Sequence, residues 1–202
     1  MKILIAMPSL TGNVPIALVQ TLLSLKTKAD WEIRFGFTER VLVDRARNAL
    51  AEKCLNEGFD YLFFLDDDQI PPLDVLIQMM ELNKDVVVCP VADRNGEGTI
   101  ALFDFQFSRI GQIKEPMVVG SGGMSCTLIK RAVLEKVAER FGKPFEFEKF
   151  NGAEISEDLN FCRRAKVVGF ETWAIPMKVQ HIGRRVTFTY DPEKNEVEAG
   201  II

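Results

Sequence analysis

Five consecutive apolar residues, Tyr61-Leu62-Phe63-Phe64-Leu65, run directly into three aspartates, Asp66-Asp67-Asp68. A strand that is apolar at every position, not at every second one, must be covered on both faces. That is the condition of a central strand in a mostly parallel sheet held between two layers of helices. The rest of the chain agrees with this frame, because strand-length apolar runs alternate with segments of helical period, the pattern of β–α–β units.

Residues 2–7 read as a first strand, and Asn13 and Pro15 open a helix with Ile16, Val19, Leu22 and Leu23 at helical spacing. Residues 31–37 alternate as a second strand. A helix is expected over 44–57, with Asp44 as N-cap and Gly58 just past its end. Pro71 and Pro72 start the next, whose Leu73, Leu76, Ile77 and Met80 fall on one stripe. Residues 86–91 are apolar throughout and predict another buried strand.

Near residue 100 the character changes from parallel to antiparallel. Phe103-Asp104-Phe105-Gln106-Phe107 alternates with period two, which predicts a half-buried antiparallel strand. Short strands over 117–119 and 124–129 follow, separated by Gly120-Ser121-Gly122-Gly123, then a helix with Leu134, Val137, Ala138 and Phe141 inward. Residues 144–155 read as a loop. A last helix starts near Ser156, turns Phe161, Ala165 and Val168 inward and ends at Gly169. Strands over 170–175 and 178–181 precede a hairpin that turns within 191–195. The expectation is an α/β three-layer sandwich with a mostly parallel mixed sheet over 1–185, followed by a C-terminal β-hairpin tail over 186–202.

At 202 residues, 47% hydrophobic and 27% charged, the chain suits one self-sufficient core. With 25 Lys and Arg against 29 Asp and Glu, the formal net charge is −4, which gives no general attraction to a nucleic-acid backbone. An anionic substrate must then be held by local arginines or by a bound cation. The four cysteines, Cys54, Cys89, Cys126 and Cys162, form no ligand pair and no dense disulfide pattern, which points to a reducing compartment. The opening apolar run stops at Pro8, too short for a signal-peptide core or a membrane span. A cytoplasmic location is the expectation.

Four groups of residues carry chemistry. If the third strand continues through the aspartates, Asp66 and Asp68 project to one side about 6–7 Å apart, and at an effective dielectric of ~20 they repel by roughly 3 kcal/mol. Such crowding calls for a cation, and oxygen-only ligands favour Mg²⁺ or Mn²⁺ shared with a substrate diphosphate. The competing reading is a solvated acidic turn ahead of Pro71. Glu157-Asp158 at the start of the last helix can complement the helix dipole, or one of them can act as a general base. Spacing alone does not separate the two. His181, the one histidine in the chain, sits at a strand end where imidazole can join a metal, or it can be a structural residue; Arg184 and Arg185 follow it. Arg45, Arg47 and Asn48 lie near a helix N-terminus, where a bound anion would relieve the charge of the two arginines, and where surface salt bridges would serve equally. Helical spacing puts Arg45 and Asn48 on one face and Arg47 on another.

The order strand-Asp66-x-Asp68, glycine-rich stretch, Ser156-Glu157-Asp158, His181 resembles the GT-A glycosyltransferases, particularly family 2-like enzymes, over about residues 2–183. The resemblance implies that Asp66 and Asp68 hold a divalent cation, Mn²⁺ or Mg²⁺, and with Asp67 the diphosphate of a sugar nucleotide. It further implies that Asp158 of the Glu157-Asp158 pair is the base of an inverting transfer and that His181 completes the metal site. Arg47-Asn48 is similar to the Arg-Asn pair that precedes the aspartate strand in many relatives, and Pro8-Ser9 to the nucleotide-facing loop. Two departures stand out. Gly36-Phe37-Thr38-Glu39-Arg40 replaces the acidic string expected after the second strand, and no processive signature follows Glu157-Asp158, which disfavours polymer synthesis. The acceptor, whether glycan, lipid or small molecule, is not readable. A phosphohydrolase of haloacid-dehalogenase type also uses Asp-x-Asp after a strand, but after the first one, whereas here it follows the third. A non-catalytic sugar-nucleotide-binding module on the same scaffold is the third alternative.

Overall fold

A computed structural model describes residues 1–93, 99–150, 152–182 and 186–201. Arg184 and Arg185 lie outside the described residues. In chain order the elements are β1 (Lys2–Ser9), α1 (Ile16–Ser24), β2 (Glu32–Glu39), α2 (Val43–Asn56), β3 (Tyr61–Leu65), β4 (Gln69–Ile70), α3 (Val75–Leu82) and β5 (Val86–Val88). Then come β6 (Leu102–Phe103), β7 (Met117–Val119), β8 (Ser121–Gly122), β9 (Cys126–Lys130), α4 (Arg131–Phe141), β10 (Glu148–Phe150) and β11 (Ala153–Ile155). The last are α5 (Glu157–Val167), β12 (Thr172–Ala174), β13 (Gln180–Ile182), β14 (Val186–Asp191) and β15 (Glu196–Ile201).

Seven strands form one sheet in the order β2-β1-β3-β9-β5-β12-β7. Strands β2, β1, β3, β5 and β12 run one way, while β9 and β7 run against them. The side chains of β1 and β3 alternate between two cores. Leu4, Ala6, Leu62 and Phe64 pack under α2, α4 and α5 through Leu50, Val133, Leu134 and Phe161. Ile3, Ile5, Met7, Phe63 and Leu65 pack under α1 and α3 through Leu18, Val75, Leu76 and Met79. This is a three-layer α/β/α sandwich, and it explains why β1 from Ile3 to Met7 and all of β3 are apolar at every position. Among the described residues no helix is long and apolar enough to cross a membrane.

Several elements differ from the sequence reading. The alternating segment 103–107 is not a strand. Regular pairing covers Leu102 and Phe103 only, after which Asp104 Oδ1 accepts the N–H groups of Gln106 and Ser108, both at 2.8 Å, and Phe107 sits at φ 61°. A side-chain acceptor that captures nearby backbone donors favours a turn over a strand ladder, whatever the period of the flanking phenylalanines. The turn crowds Gly120, where a Cβ would lie 2.0 Å from the Asp104 carbonyl oxygen, so this glycine is needed for close backbone approach. Residues 144–155, read as a loop, contain the β10–β11 hairpin. The buried face of α3 is carried by Val75, Leu76 and Met79, and Leu73 precedes the helix.

A second sheet, in the order β15-β14-β13-β4, sets the geometry that matters for chemistry. Strand β4 follows the aspartates directly, and β13 pairs with it so that His181 stands opposite Gln69. The Ile182 N–H donates to the Asp68 carbonyl at 2.8 Å. Residues more than a hundred positions apart are thereby stitched together. The C-terminal hairpin β14–β15 extends this sheet, and it buries Tyr190, whose hydroxyl lies 3.2 Å from both the N–H and the carbonyl of Ile113.

Candidate functional site

The third strand ends at Leu65, and Asp66-Asp67-Asp68 form a turn instead of a continued strand. The three carboxylates therefore diverge, and each meets a different partner. Asp66 takes both terminal contacts from Arg47 Nη2, at 3.2 and 3.3 Å. Asp67 accepts a hydrogen bond from Ser9 Oγ at 2.5 Å, and Ser9 Oγ in turn accepts the Gly12 N–H at 2.9 Å. Asp68 Oδ2 faces His181 Nε2 at 3.6 Å, while its Oδ1 accepts from Gln69 Nε2 at 3.0 Å.

Arg47 is the hub of the buried part. Its guanidinium, 4% exposed, donates from Nη1 to Glu157 Oε1 at 2.6 Å and from Nη2 to Asp66, and it stacks over the Phe64 ring at 5.8 Å. Helix α2 thus presents Arg47 to the aspartates and not its neighbours. Arg45 is exposed and lines a separate hollow between α2 and the 142–146 segment. The Asn48 amide is committed to the backbone: it donates to the Asp44 and Phe145 carbonyls and accepts the Phe145 N–H. Arg45 and Asn48 line the same hollow, and the face of α2 that carries Arg47 is the one turned to the aspartates.

One cation against several carboxylates leaves the cluster acidic. Burial works against the Arg47 charge, but the fields of Asp66, Glu157 and Asp158 outweigh it and raise its pKa. Burial also raises Asp66, against the pull of Arg47. The Glu157 carboxyl is pushed up to about 7 by burial, opposed by Arg47 and reinforced by Asp158. A folded pKa of about 7 against a reference of 4.5 means that, between those values, the folded protein holds a proton the unfolded chain has released. Stability should therefore fall as pH rises through that window, by up to about 1.4 kcal/mol per pH unit for one group. Urea unfolding between about pH 5 and about pH 8 measures the slope. Glu157→Gln, which cannot titrate, should flatten it; an unchanged slope would assign the titration elsewhere.

Asp158 differs from its neighbour. Its Oδ1 accepts from the Ser156 hydroxyl and from the Leu159 N–H at 2.8 Å, so Ser156 fixes this carboxylate instead of capping a backbone donor of α5. Its Oδ2 stands on the wall of a cavity, 3.9 Å from the point a Cβ on Gly123 would occupy. That cavity, about 370 Å³, is also lined by Arg47, Asp66, Asp68 and His181. A second cavity of about 330 Å³ lies across the aspartate turn, walled by Pro8, Ser9, Leu10, Val41, Leu42, Val43 and the three aspartates. Asp66 and Asp68 belong to both. Of the residues read from sequence, the structure gathers Pro8, Ser9, Arg47, Asp66, Asp67, Asp68, Glu157, Asp158 and His181 around this turn. It leaves out Arg45 and Asn48.

Residues missed in the sequence are Gln69, Ser156 as the holder of Asp158, and the Val41–Val43 wall. The last was signalled only by its place after the carboxyl end of β2, where open α/β sheets bind ligands.

The donor chemistry at Asp68 and His181 suits a cation. His181 Nδ1 lies 2.7 Å from the Ala92 carbonyl, which can only accept, so Nδ1 carries a proton. Nε2 faces the Asp68 carboxylate, so the ring is oriented by a backbone carbonyl in the way metal-binding imidazoles are. Among the described residues no three His, Cys, Asp or Glu side chains converge as a metal site. Two protein ligands, with water and substrate oxygens completing the shell, is an arrangement Mg²⁺-class ions accept.

No family model matches the sequence, and no curated protein matches it significantly. Solved structures do match the fold. A197 from STIV superposes with a TM-score of 0.69 at 24% identity, over 100% of this chain and 94% of that one. TarS 1–349 of S. aureus, solved in complex with UDP, superposes with a TM-score of 0.52 at 12% identity, over 88% of this chain. This chain spans 59% of that TarS chain. The fold is glycosyltransferase-like.

Proposed function

We propose that this chain is a family 2-like, metal-dependent glycosyltransferase that moves a sugar from a nucleotide-diphosphate donor to an acceptor hydroxyl. The observation that carries the reading is the shared wall: the Asp66–Asp68 turn separates a cavity bearing Asp158, Asp68 and His181 from one walled by Pro8, Ser9 and Val41–Val43. A donor can lie across the turn with its nucleotide in the second cavity and its sugar in the first. The UDP in the TarS structure supports a nucleotide ligand for this fold. Four buried free cysteines suit the reducing cytoplasm.

Asp68 and His181 would hold Mn²⁺ or Mg²⁺, with Asp66 beside them on the same turn. When bound, the cation supplies positive charge that neutralises the departing diphosphate. Asp67, tied to Ser9, keeps the turn closed against the end of β1. Asp158, its Oδ1 pinned by Ser156 and Leu159, offers Oδ2 to the acceptor O–H and takes its proton as the oxygen attacks the anomeric carbon. The new glycosidic bond forms as the bond to the diphosphate oxygen breaks, and direct displacement inverts the configuration.

The test is a panel of sugar nucleotides, read by thermal shift and by donor turnover with and without Mn²⁺. A matching donor raises Tm, by an increment that grows with the logarithm of its affinity for the native state. Asp68→Ala should abolish the Mn²⁺-dependent part of both signals. Full activity in that variant would remove the metal from the reaction, and an aryl phosphate hydrolysed in place of any donor would move the chain to the phosphohydrolases.

A further inference from the structure

We propose that two copies of this chain associate through β2, the outer strand of the main sheet, in an antiparallel pair centred on Phe35. Among the described residues β2 pairs with β1 alone, in unbroken register over eight residues from Lys2↔Glu32 to Ser9↔Glu39. The Glu32 N–H points to the Met1 carbonyl at 2.8 Å. By strand alternation the backbone groups of Glu32, Arg34, Gly36 and Thr38 face β1, and those of Ile33, Phe35 and Phe37 face outward.

Folded proteins ordinarily blunt such an edge with proline, a bulge, an inward charge or a covering segment. Strand β2 has neither proline nor bulge, and of its outward-directed residues Ile33, Phe35 and Phe37 are apolar, with the one charge, Glu39, at its last position. Phe35 and Phe37 are 42% and 58% exposed and stack on each other at 6.2 Å. On the same side of the sheet α1 carries no charge and exposes Ile16 at 78% and Leu23 at 83%. A surface of this kind on a strand edge is an interaction surface.

The strand itself argues for a second copy as the occupant. Around a two-fold axis at Phe35, residue 35 faces its own symmetry mate, 33 faces 37, 34 faces 36 and 32 faces 38. The outward N–H and C=O groups of Ile33, Phe35 and Phe37 are those that this register pairs, and all three side chains meet their mates on one face. On the other face Glu32 meets a threonine and Arg34 a glycine, so no like charges stand opposite, and Arg34 already carries Glu32 at 2.7 Å. An axis at Phe37 would set Arg34 against Arg40, and one at Ile33 would leave Phe37 outside the strand pairing. The charged side chains nearby, Lys26, Lys28, Arg34 and Arg40 against Asp30, Glu32 and Glu39, are nearly balanced. That suits self-association better than an anionic lipid surface.

Sedimentation velocity of the full chain across a dilution series should show a reversible dimer. Phe35→Lys, with its fold verified by circular dichroism, should weaken it by roughly 30-fold or more. Register is tested with a single added cysteine, since the four native ones are buried. Under mild oxidation Phe35→Cys should cross-link to its own mate, because directly opposed residues sit within disulfide range. Phe37→Cys should not cross-link with itself, but should do so when mixed with Ile33→Cys. A monomer at every concentration, a dimer indifferent to Phe35→Lys, or equal cross-linking at 35 and 37 would each overturn the proposal. Binding only to anionic vesicles or to another protein would do the same.

Discussion

Arg47→Ala is expected to lower the unfolding free energy by about 3–5 kcal/mol at neutral pH, among the largest effects any single substitution should have on this chain. The reason is not the strength of the ion pairs but what their loss leaves behind. Asp66 and Glu157 both lean on one buried guanidinium, and α5, α2 and the end of β3 meet there. Without the cation, two carboxylates face each other out of water and must either repel or take up protons. The cost should therefore shrink as pH falls toward 5, where protonation relieves the repulsion, and denaturant unfolding at two pH values measures that difference. Adding Glu157→Gln to Arg47→Ala should recover part of the loss, giving a coupling energy of about 1 kcal/mol or more for residues in one network. A loss below about 1 kcal/mol at neutral pH would show that the cluster is not held by Arg47.

The layers of this fold are legible in the sequence because burial on both faces leaves a one-dimensional trace: β1 from Ile3 to Met7 and all of β3 are apolar at every position, and helical stripes stand between them. Local polar chemistry left a fainter one. The period of Phe103, Phe105 and Phe107 is that of a strand, yet a single carboxylate, Asp104, captures two backbone donors and turns the chain. At the site the residue types were legible and their directions were not. Asp66 and Asp68 share a face only if β3 continues, and it ends at Leu65, just before them. The approach of His181 to Asp68 depends on β13 pairing with β4, a two-residue strand too short to carry any periodic signal. Which arginine of α2 meets the aspartates is set by where α2 sits over β1 and β3, and periodicity within the helix gives faces but no absolute orientation.

Orientation also decides between Glu157 and Asp158, which spacing leaves equivalent. On the proposed transfer reaction, Asp158→Asn should lower kcat by on the order of a thousandfold with little change in donor KM, the scale of a lost general base. Glu157→Gln should cost no more than about tenfold, because the Glu157 carboxyl is turned inward onto Arg47 and a glutamine oxygen can still accept from that guanidinium. Asparagine at 158 keeps the oxygen that accepts the Leu159 N–H, so the loop geometry survives while the proton acceptor is gone. Ser156→Ala should fall between the two, since it frees the carboxylate to rotate without removing it. If Glu157→Gln abolished turnover and Asp158→Asn spared it, the base would sit on the buried side of α5. The cavity bearing Asp68 and His181 would then hold the donor without the acceptor.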